Sequence, residues 1–262
     1  MFLKSYKPKT PSLRFKKDIY KMSPFIKKNN TFFLNIKNKS GRSHKGDIIL
    51  RNRGGNIYNK YINIDINRNK LTNLALIVSL NYLNKNSCFI GLIKYSNNSL
   101  SYIKLSNGLF LGDYTKSIDK PINFSFNFKN ILGSFIILNL APKNCIFSNL
   151  ISISSDKSKY AKSSGNYLSV IKKIKELNIF ILKLPTGEKK YFSGYSKATI
   201  GRNSNFLNKF TVIGKAGINR LKGFRPSVRG IAMNPVDHPH GGRTKTNQPE
   251  MSPWGWITKK NK

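Results

Sequence analysis

The amino-acid sequence predicts a mainly β protein with long, irregular, basic segments at both ends. In the middle of the chain, apolar runs of strand length alternate with turn signals. Towards both ends, Gly and Pro recur every few residues and interrupt helix and strand alike. The 262 residues include 47 Lys and Arg against 10 Asp and Glu, a net charge of +37. Because so large a charge repels itself in a compact state, we expect a polyanionic partner.

The segment from Tyr58 to about Lys120 predicts the first β unit. YINIDIN alternates as a half-buried strand does, and LTNLALIVSLNYL is a second strand candidate. CFIGLIKYS and SLSYIKLS flank Asn97-Asn98, which is typical of a tight hairpin, and Asn107-Gly108 marks another turn. Several short strands at this spacing favour a small closed barrel. A general all-β core is the less specific interpretation.

A second β unit is predicted from about Phe128 to Ala198, with a hairpin turn at Thr186-Gly187. Its strand candidates are FIILNLA, CIFSNLISI, NYLSVIKKI, NIFILKLP and KKYFSGY. The loop SSDKSKYAKSSG, between the second and third of these strands, contains three lysines. The sequence leaves open whether this loop contacts RNA or is simply solvated.

Residues 214–256 show neither a helical apolar stripe nor a long alternating strand. Asn234-Pro235, His238-Pro239 and Gly241-Gly242 each specify a turn, and two Trp are costly to leave in water. A segment with many turns and little apolar surface is typical of one that folds onto a partner. Its first 17 residues carry five cations and no acid, interleaved with glycines. That pattern favours folded RNA, and a solvated basic tail is the alternative.

The sequence offers less support for functions other than RNA binding. No apolar run approaches the ~20 residues of a membrane-spanning helix, and no basic amphipathic helix suited to a membrane surface stands out. Asp237, His238 and His240 lie within four residues, so a metal-dependent hydrolase that uses the two histidines is an alternative. Few acids are available to complete such a site, and Cys88 and Cys145 have no paired spacing. We therefore predict no enzymatic activity, no cofactor and no metal held by protein side chains; structural Mg²⁺ ions would be bound mainly by RNA.

The run IAMNPVDHPHGG, preceded by GKAGINRLKGFRPSVRG and followed by SPWG, resembles the signature of the universal ribosomal protein L2 family of the large subunit. The resemblance covers nearly the whole chain and is weakest between about Leu71 and Ile151. After SPWG the sequence soon reaches KKNK, where bacterial relatives usually carry a longer basic tail. Further motifs resemble the family in the same order: YKPKTPSLR at 6–14, KSGR, RGG, INRNK at 66–70, AKSSGNY at 161–167 and KATIG at 197–201.

The resemblance implies an OB-type barrel followed by an SH3-like barrel. The expected domains are a basic N-terminal extension at 1–39, the OB-type barrel at 40–122, the SH3-like barrel at 123–198 and an RNA-penetrating C-terminal extension at 199–262. The implied function is that of a structural constituent of the large ribosomal subunit, which scaffolds large-subunit rRNA near the peptidyl transferase region and supports subunit association in translation. The implied partners are this rRNA, neighbouring large-subunit proteins and the small subunit, with no membrane and no homo-oligomer. A free RNA-binding chaperone is the alternative.

The abundance of Lys, Asn, Ile, Phe and Tyr over Arg and Ala indicates an AT-rich genome. We therefore expect an organellar ribosome, that of a mitochondrion, with a plastid or a reduced bacterium as alternatives. The first 30 residues have the charge of a presequence, but Pro8, Pro11 and Pro24 disfavour a targeting helix. Because the resemblance begins at Tyr6, we expect no cleaved leader.

The expected rRNA contacts are cations of the extensions and loops, together with polar and aromatic residues of the C-terminal motif. His238 matches the histidine of the family's VDHPHGG loop, and we assign it a contact and no catalytic role. The full set is Lys7, Arg14, Lys39, Arg42, Arg51, Arg53, Arg68, Lys159, Lys162, Arg202, Lys215, Arg220, Lys222, Arg225, Arg229, Asn234, His238, His240, Arg243 and Trp254.

Overall fold

A computed structural model describes residues 3–19, 32–36, 39–54, 59–68, 74–83, 86–118, 131–142, 145–155, 157–242 and 249–259. The chain divides into two compact units. Unit 1 comprises Met1–Ile36 and Lys60–Gly214, and unit 2 comprises Lys37–Asn59 and Lys215–Lys262. Within the described ranges, no helix is long and apolar enough to cross a membrane.

Two small two-stranded sheets come first along the chain. The strands β1 (Leu3–Ser5) and β2 (Lys17–Ile19) pair antiparallel around the short helix α1 (Pro11–Arg14). The Tyr6 hydroxyl donates to the Asp18 carboxylate at 2.8 Å and supports this pairing. The strands β3 (Phe33–Ile36) and β4 (Asn59–Ile62) form the second pair.

A four-stranded antiparallel sheet corresponds to the first predicted β unit. Its strands are β5 (Ala75–Leu83), β6 (Cys88–Tyr95), β7 (Leu100–Lys104) and β8 (Tyr114–Thr115), in the order β7-β6-β5-β8. The predicted hairpin turn is present: Asn98 has a φ of 61°, and its N–H donates to the Tyr95 carbonyl at 3.0 Å. Alternate residues of β5 are buried, as the period of two predicts.

A curled seven-stranded sheet corresponds to the second predicted unit. Its strands are β9 (Ser117–Ile118), β10 (Phe135–Ile137), β11 (Ile146–Ile151), β12 (Leu168–Ile174), β13 (Ile179–Lys183), β14 (Lys189–Ser193) and β15 (Lys197–Ile200). The order is β14-β13-β12-β11-β15-β10-β9. Phe147, Leu168 and Leu182 lie fully buried in its core. The predicted mainly β fold class is confirmed, and the curled sheet is consistent with OB-type and SH3-like domains.

The strand β15 crosses the predicted start of the C-terminal extension at residue 199. β15 runs through residue 198 and pairs with both β10 and β11. Asn203, which follows β15, is fully buried, and its side-chain amide donates to the Ala161 carbonyl at 2.6 Å. Ser204 receives a hydrogen bond from the N–H of Phe89 at 2.9 Å, which ties this segment to the first sheet. Because these buried residues are polar, no apolar pattern indicates their burial.

Unit 2 brings the basic segment 39–54 together with the C-terminal tail. Gly54 N–H donates to the Gly223 carbonyl at 2.8 Å, and Arg225 N–H donates to Asn52 at 3.0 Å. The Arg53 guanidinium lies 4.4 Å from the centre of the Phe224 ring. The sequence predicts residues 40–54 as part of the first barrel, whereas the structure assigns them to unit 2.

A short helix, α2 (Ala216–Leu221), and a 3-10 turn at Gly230–Ala232 lie in the stretch predicted to be irregular throughout. The six residues of α2 span fewer than two turns, so they cannot show a helical apolar period. None of its residues is buried. The helix α2 is therefore a short local element within a C-terminal segment that the sequence predicts to be irregular.

Candidate RNA interface

The loop from Met233 to Gly242 in unit 2 is closed by its own backbone. The N–H groups of Asp237 and His238 both donate to the Asn234 carbonyl, at 3.0 and 3.3 Å. Gly242 N–H donates back to the Met233 carbonyl at 3.3 Å and so joins the two ends of the loop. A Cβ atom at Gly241 would collide with the backbone of Asn234, so only glycine fits that position. The three turns predicted here therefore form one compact structure.

The His238 ring lies inside this loop, with 7% of the residue exposed. Its Nδ1 accepts a hydrogen bond from the backbone N–H of His240 at 3.0 Å, which assigns the ring proton to Nε2. The ring packs on Gly230, where an added Cβ would meet three ring atoms at 2.5 to 2.7 Å. His238 is thus held by a backbone donor on one side and a glycine on the other.

His240 connects the loop to a short hairpin of residues 249–259. Its Nε2 lies 2.9 Å from the Pro249 carbonyl and 3.2 Å from the N–H of Met251. A neutral Nε2 either donates to the carbonyl or accepts from the N–H, so each ring tautomer keeps one of these bonds. In the hairpin, Ser252 N–H donates to the Trp256 carbonyl at 2.7 Å.

The described part of unit 2 presents a strongly cationic surface. It holds three acids, Asp47, Asp237 and Glu250, against eleven cations. The cations are Lys39, Arg42, Lys45, Arg51, Arg53, Lys215, Arg220, Lys222, Arg225, Arg229 and Lys259. None of the hydrophobic residues described in this unit is buried.

Large apolar side chains are exposed among these cations. Val236 is 90% exposed, and Trp254 and Trp256 are 63% and 75% exposed. The Arg51 guanidinium lies 5.7 Å from the centre of a Trp254 ring. Cations beside free aromatic faces are what a single strand or loop of RNA engages, because phosphates pair with the charge and bases stack on the rings.

Two protein-family models match this chain, and one of them is described as RNA-binding. The family model described as "Ribosomal Proteins L2, RNA binding N-terminal domain" matches residues 29–117, and "Ribosomal Proteins L2, C-terminal domain" matches residues 132–255. The chain belongs to the ribosomal protein L2 family. This confirms the predicted family and supports a structural, rRNA-binding role in the large subunit.

Relatives of this L2 chain come from organelles and from bacteria. "Large ribosomal subunit protein uL2m" of Reclinomonas americana is 38% identical over 99% of this chain and 92% of the relative. "Large ribosomal subunit protein uL2" of Wigglesworthia glossinidia brevipalpis is 36% identical over 100% of this chain and 93% of the relative. "Large ribosomal subunit protein uL2c" of Cyanidium caldarium is 35% identical over 97% and 92%. The uL2m and uL2c relatives support an organellar ribosome.

The structure exposes most of the rRNA-contact residues predicted for this L2 protein. In unit 1, Lys7, Arg14, Lys159 and Lys162 are exposed, and Arg202 is half-buried. Arg243 lies outside the described residues. In unit 2, Arg53 and His240 are half-buried and His238 is buried, whereas the exposed members are Lys39, Arg42, Arg51, Lys215, Arg220, Lys222, Arg225, Arg229, Asn234 and Trp254.

Arg68 differs from the other predicted contacts because it is buried, with 6% of the residue exposed. Its guanidinium donates to the Gly133 carbonyl at 2.8 Å and lies 5.7 Å from the centre of the Phe135 ring. Burial lowers the pKa of Arg68 to about 10, and the nearby Tyr95 and Asp65 act in the opposite direction. Arg68 therefore joins two parts of unit 1 inside the protein, and we remove it from the proposed contact set.

Arg202 also has partners within unit 1. Its guanidinium donates to the Gly165 carbonyl at 3.2 Å and lies 5.0 Å from the centre of the Phe206 ring. Part of the side chain remains accessible, so a phosphate contact is compatible with these bonds.

Sequence reasoning missed a basic face on the seven-stranded sheet. Lys183 and Lys189 are cross-strand partners, and Lys172 shares a row with Ile181 and Tyr191. Tyr191 is 70% exposed. No periodic signal marks this face, because Lys172-Lys173 and Lys189-Lys190 are consecutive residues. The face becomes visible only in the cross-strand register.

Proposed function

We propose that this L2 protein scaffolds large-subunit rRNA near the peptidyl transferase region and supports association of the two ribosomal subunits. One observation carries the proposal: the described part of unit 2 is a cationic, aromatic surface without a buried apolar core of its own. Such a surface repels itself in water and is stabilised when phosphates and bases cover it.

The mechanism is positioning. Cations of unit 2 neutralise converging phosphates, and Trp254 and Trp256 offer ring faces for stacking. Backbone hydrogen bonds within the loop 233–242 define the shape that it presents to RNA. Gly241 permits the close backbone approach that this shape requires.

We propose no enzymatic activity and no cofactor. The Nδ1 atom of His238 is engaged by the His240 N–H, and His240 holds the hairpin. No group of three or more His, Cys, Asp or Glu residues suited to a metal ion occurs within the described ranges. A metal-dependent hydrolase would need ligands beyond Asp237, His238 and His240.

Its partners are proposed to be large-subunit rRNA, neighbouring large-subunit proteins and the small subunit, without homo-oligomer formation. Within organelles we propose the mitochondrion, on the basis of the composition and of the Reclinomonas relative.

Sedimentation tests the proposal against the free-chaperone alternative. Tagged protein expressed in its own compartment should sediment with large subunits and remain with them after a high-salt wash. Recovery of most of the protein in the soluble fraction, apart from subunits, would support a free RNA chaperone instead.

A further inference from the structure

An open pocket of about 410 Å³ lies in unit 2 beside the loop 233–242. Val228, Ala232 and Met233 supply apolar wall, and Asn234 supplies an amide. Charged groups of opposite sign complete the lining, Arg51 and Asp237. A pocket of this kind suits a flat, partly apolar ligand that bears hydrogen-bonding groups and lies next to an anion.

We propose that this pocket receives an unstacked guanine base of rRNA. The inference rests on the proposed rRNA-binding function and names the ligand of one part of the surface. Sequence-specific recognition of RNA uses bases turned out of the stack, which are read by hydrogen bonds on their Watson–Crick edge. Met233 and Val228 would contact the face of the base, and Arg51 would pair with a flanking phosphate.

The Asp237 carboxylate selects the base. It is one of three acids in the described part of unit 2. Among the described residues it has no ion-pair partner. Glu250 differs, because it pairs with Lys259 at 2.7 Å. A carboxylate among phosphates is repelled unless it faces hydrogen-bond donors.

Guanine presents such donors side by side. Its N1–H and N2–H₂ groups point in parallel from one edge and match the two oxygens of a carboxylate. Adenine and cytosine carry one amino donor beside an acceptor nitrogen, and uracil carries one imino donor between two carbonyls. A carboxylate that receives two parallel bonds therefore favours guanine over the other three bases.

Hydrogen bonds within the loop shape the pocket. Asp237 N–H donates to the Asn234 carbonyl at 3.0 Å, and the 3-10 turn Gly230–Ala232 leads directly into Met233. The His238 ring packs against Gly230, the first residue of that turn.

Methyl NMR of the full chain tests the ligand class. With ¹³C-methyl methionine, the Met233 signal should shift on addition of GMP and far less with ribose 5-phosphate. Met251 lies outside the pocket, in the hairpin that carries Trp254 and Trp256, and its signal reports any stacking there. We expect a preference of about tenfold for GMP over AMP, the discrimination of one good bidentate pair. Asp237→Asn should abolish this preference, and Glu250→Gln, which removes the same charge outside the pocket, should retain it. Equal responses to GMP, AMP and ribose 5-phosphate in the unsubstituted chain would refute the proposal.

Chemical probing of assembled large subunits gives an independent result. Kethoxal modifies N1 and N2 of guanine when both are free. A guanine protected in subunits with the unsubstituted chain should become reactive in subunits with Asp237→Asn and stay protected with Glu250→Gln. If no guanine changes in particles that contain Asp237→Asn stoichiometrically, the guanine site is wrong, whereas the scaffold function still stands. If the unsubstituted chain itself fails to enter subunits, the proposed function is wrong.

Discussion

The Nδ1 atom of His238 accepts a hydrogen bond from the backbone N–H of His240 at 3.0 Å. This bond occupies the lone pair that a general base would use and leaves Nε2–H as a donor. The ring also fills the space above Gly230. These contacts therefore account for the histidine at this position through packing and hydrogen bonding, without a role in proton transfer.

Replacement of His238 should distinguish a role in positioning the loop from a role in proton transfer. In His238→Asn the side-chain oxygen can take the place of Nδ1, so the bond to His240 is retained. His238→Ala loses it, at a cost of about 1 kcal/mol, and leaves a gap over Gly230. We expect the Asn variant to assemble into subunits better than the Ala variant, with equal single-turnover peptidyl transfer per assembled particle. Normal assembly of both variants with loss of the chemical step in both would identify His238 as a catalyst.

Removal of the buried Asn203 side chain should destabilise unit 1. Its amide donates to the Ala161 and Ser163 carbonyls at 2.6 and 3.1 Å, and its oxygen accepts from Asn149 at 3.0 Å. Asn203→Ala should lower the free energy of unfolding by about 2–4 kcal/mol. Urea denaturation followed by far-UV circular dichroism measures this, with the exposed Asn219→Ala as a matched control. A loss of unfolding free energy below about 0.5 kcal/mol, the range of ordinary surface substitutions, would show that the stability of unit 1 does not depend on Asn203.

The sequence predicted the strands well because strand signals are local. Apolar alternation and Asn-Asn, Asn-Gly or Thr-Gly turns lie within a few residues of one another, and β5, β6, β7 and β11 to β14 appear where they were expected. The burial of the segment after β15 is not visible in the sequence because it depends on residues far away in the chain. Asn205, for example, donates to the carbonyl of Ser87. The sequence does not distinguish an asparagine that donates hydrogen bonds to distant carbonyls from one in a solvated loop.

The charge and the turns of the candidate site could be predicted from the sequence, whereas the contacts between residues distant in the chain could not. The closed loop 233–242 follows from its Pro and Gly residues, which act locally. The role of Arg68 depends on Gly133, 65 residues away. The local sequence therefore does not distinguish this buried arginine from one that contacts RNA at the surface. The contact of Arg53 with Phe224 likewise joins distant segments, and no local pattern in either segment predicts it.

Arg68 and Lys162 provide a matched test of buried and exposed cations in unit 1. Lys162→Gln should reduce the slope of log K against log salt by about 0.7–0.9, the contribution of one neutralised phosphate. Arg68→Gln should leave that slope unchanged and lower the free energy of unfolding by about 2 kcal/mol, because it removes a charged donor from the Gly133 carbonyl. Filter binding to a large-subunit rRNA fragment and urea denaturation measure the two effects. Equal changes of slope in both variants would return Arg68 to the set of RNA contacts.

Limited proteolysis should separate the two units. All hydrophobic residues described in unit 2 are at least partly exposed, so little apolar burial opposes its local opening. In RNA-free protein we expect trypsin to cut first within residues 39–54 and after Lys215, and to leave a fragment from about residue 60 to Lys215. Mass spectrometry of the products locates the cuts. Addition of a large-subunit rRNA fragment should protect the same bonds, because RNA covers the cations that trypsin recognises. Resistance of unit 2 without RNA would show that its hydrogen bonds suffice to hold it, and cutting within residues 60–214 first would mean that the β sheets are the less stable part.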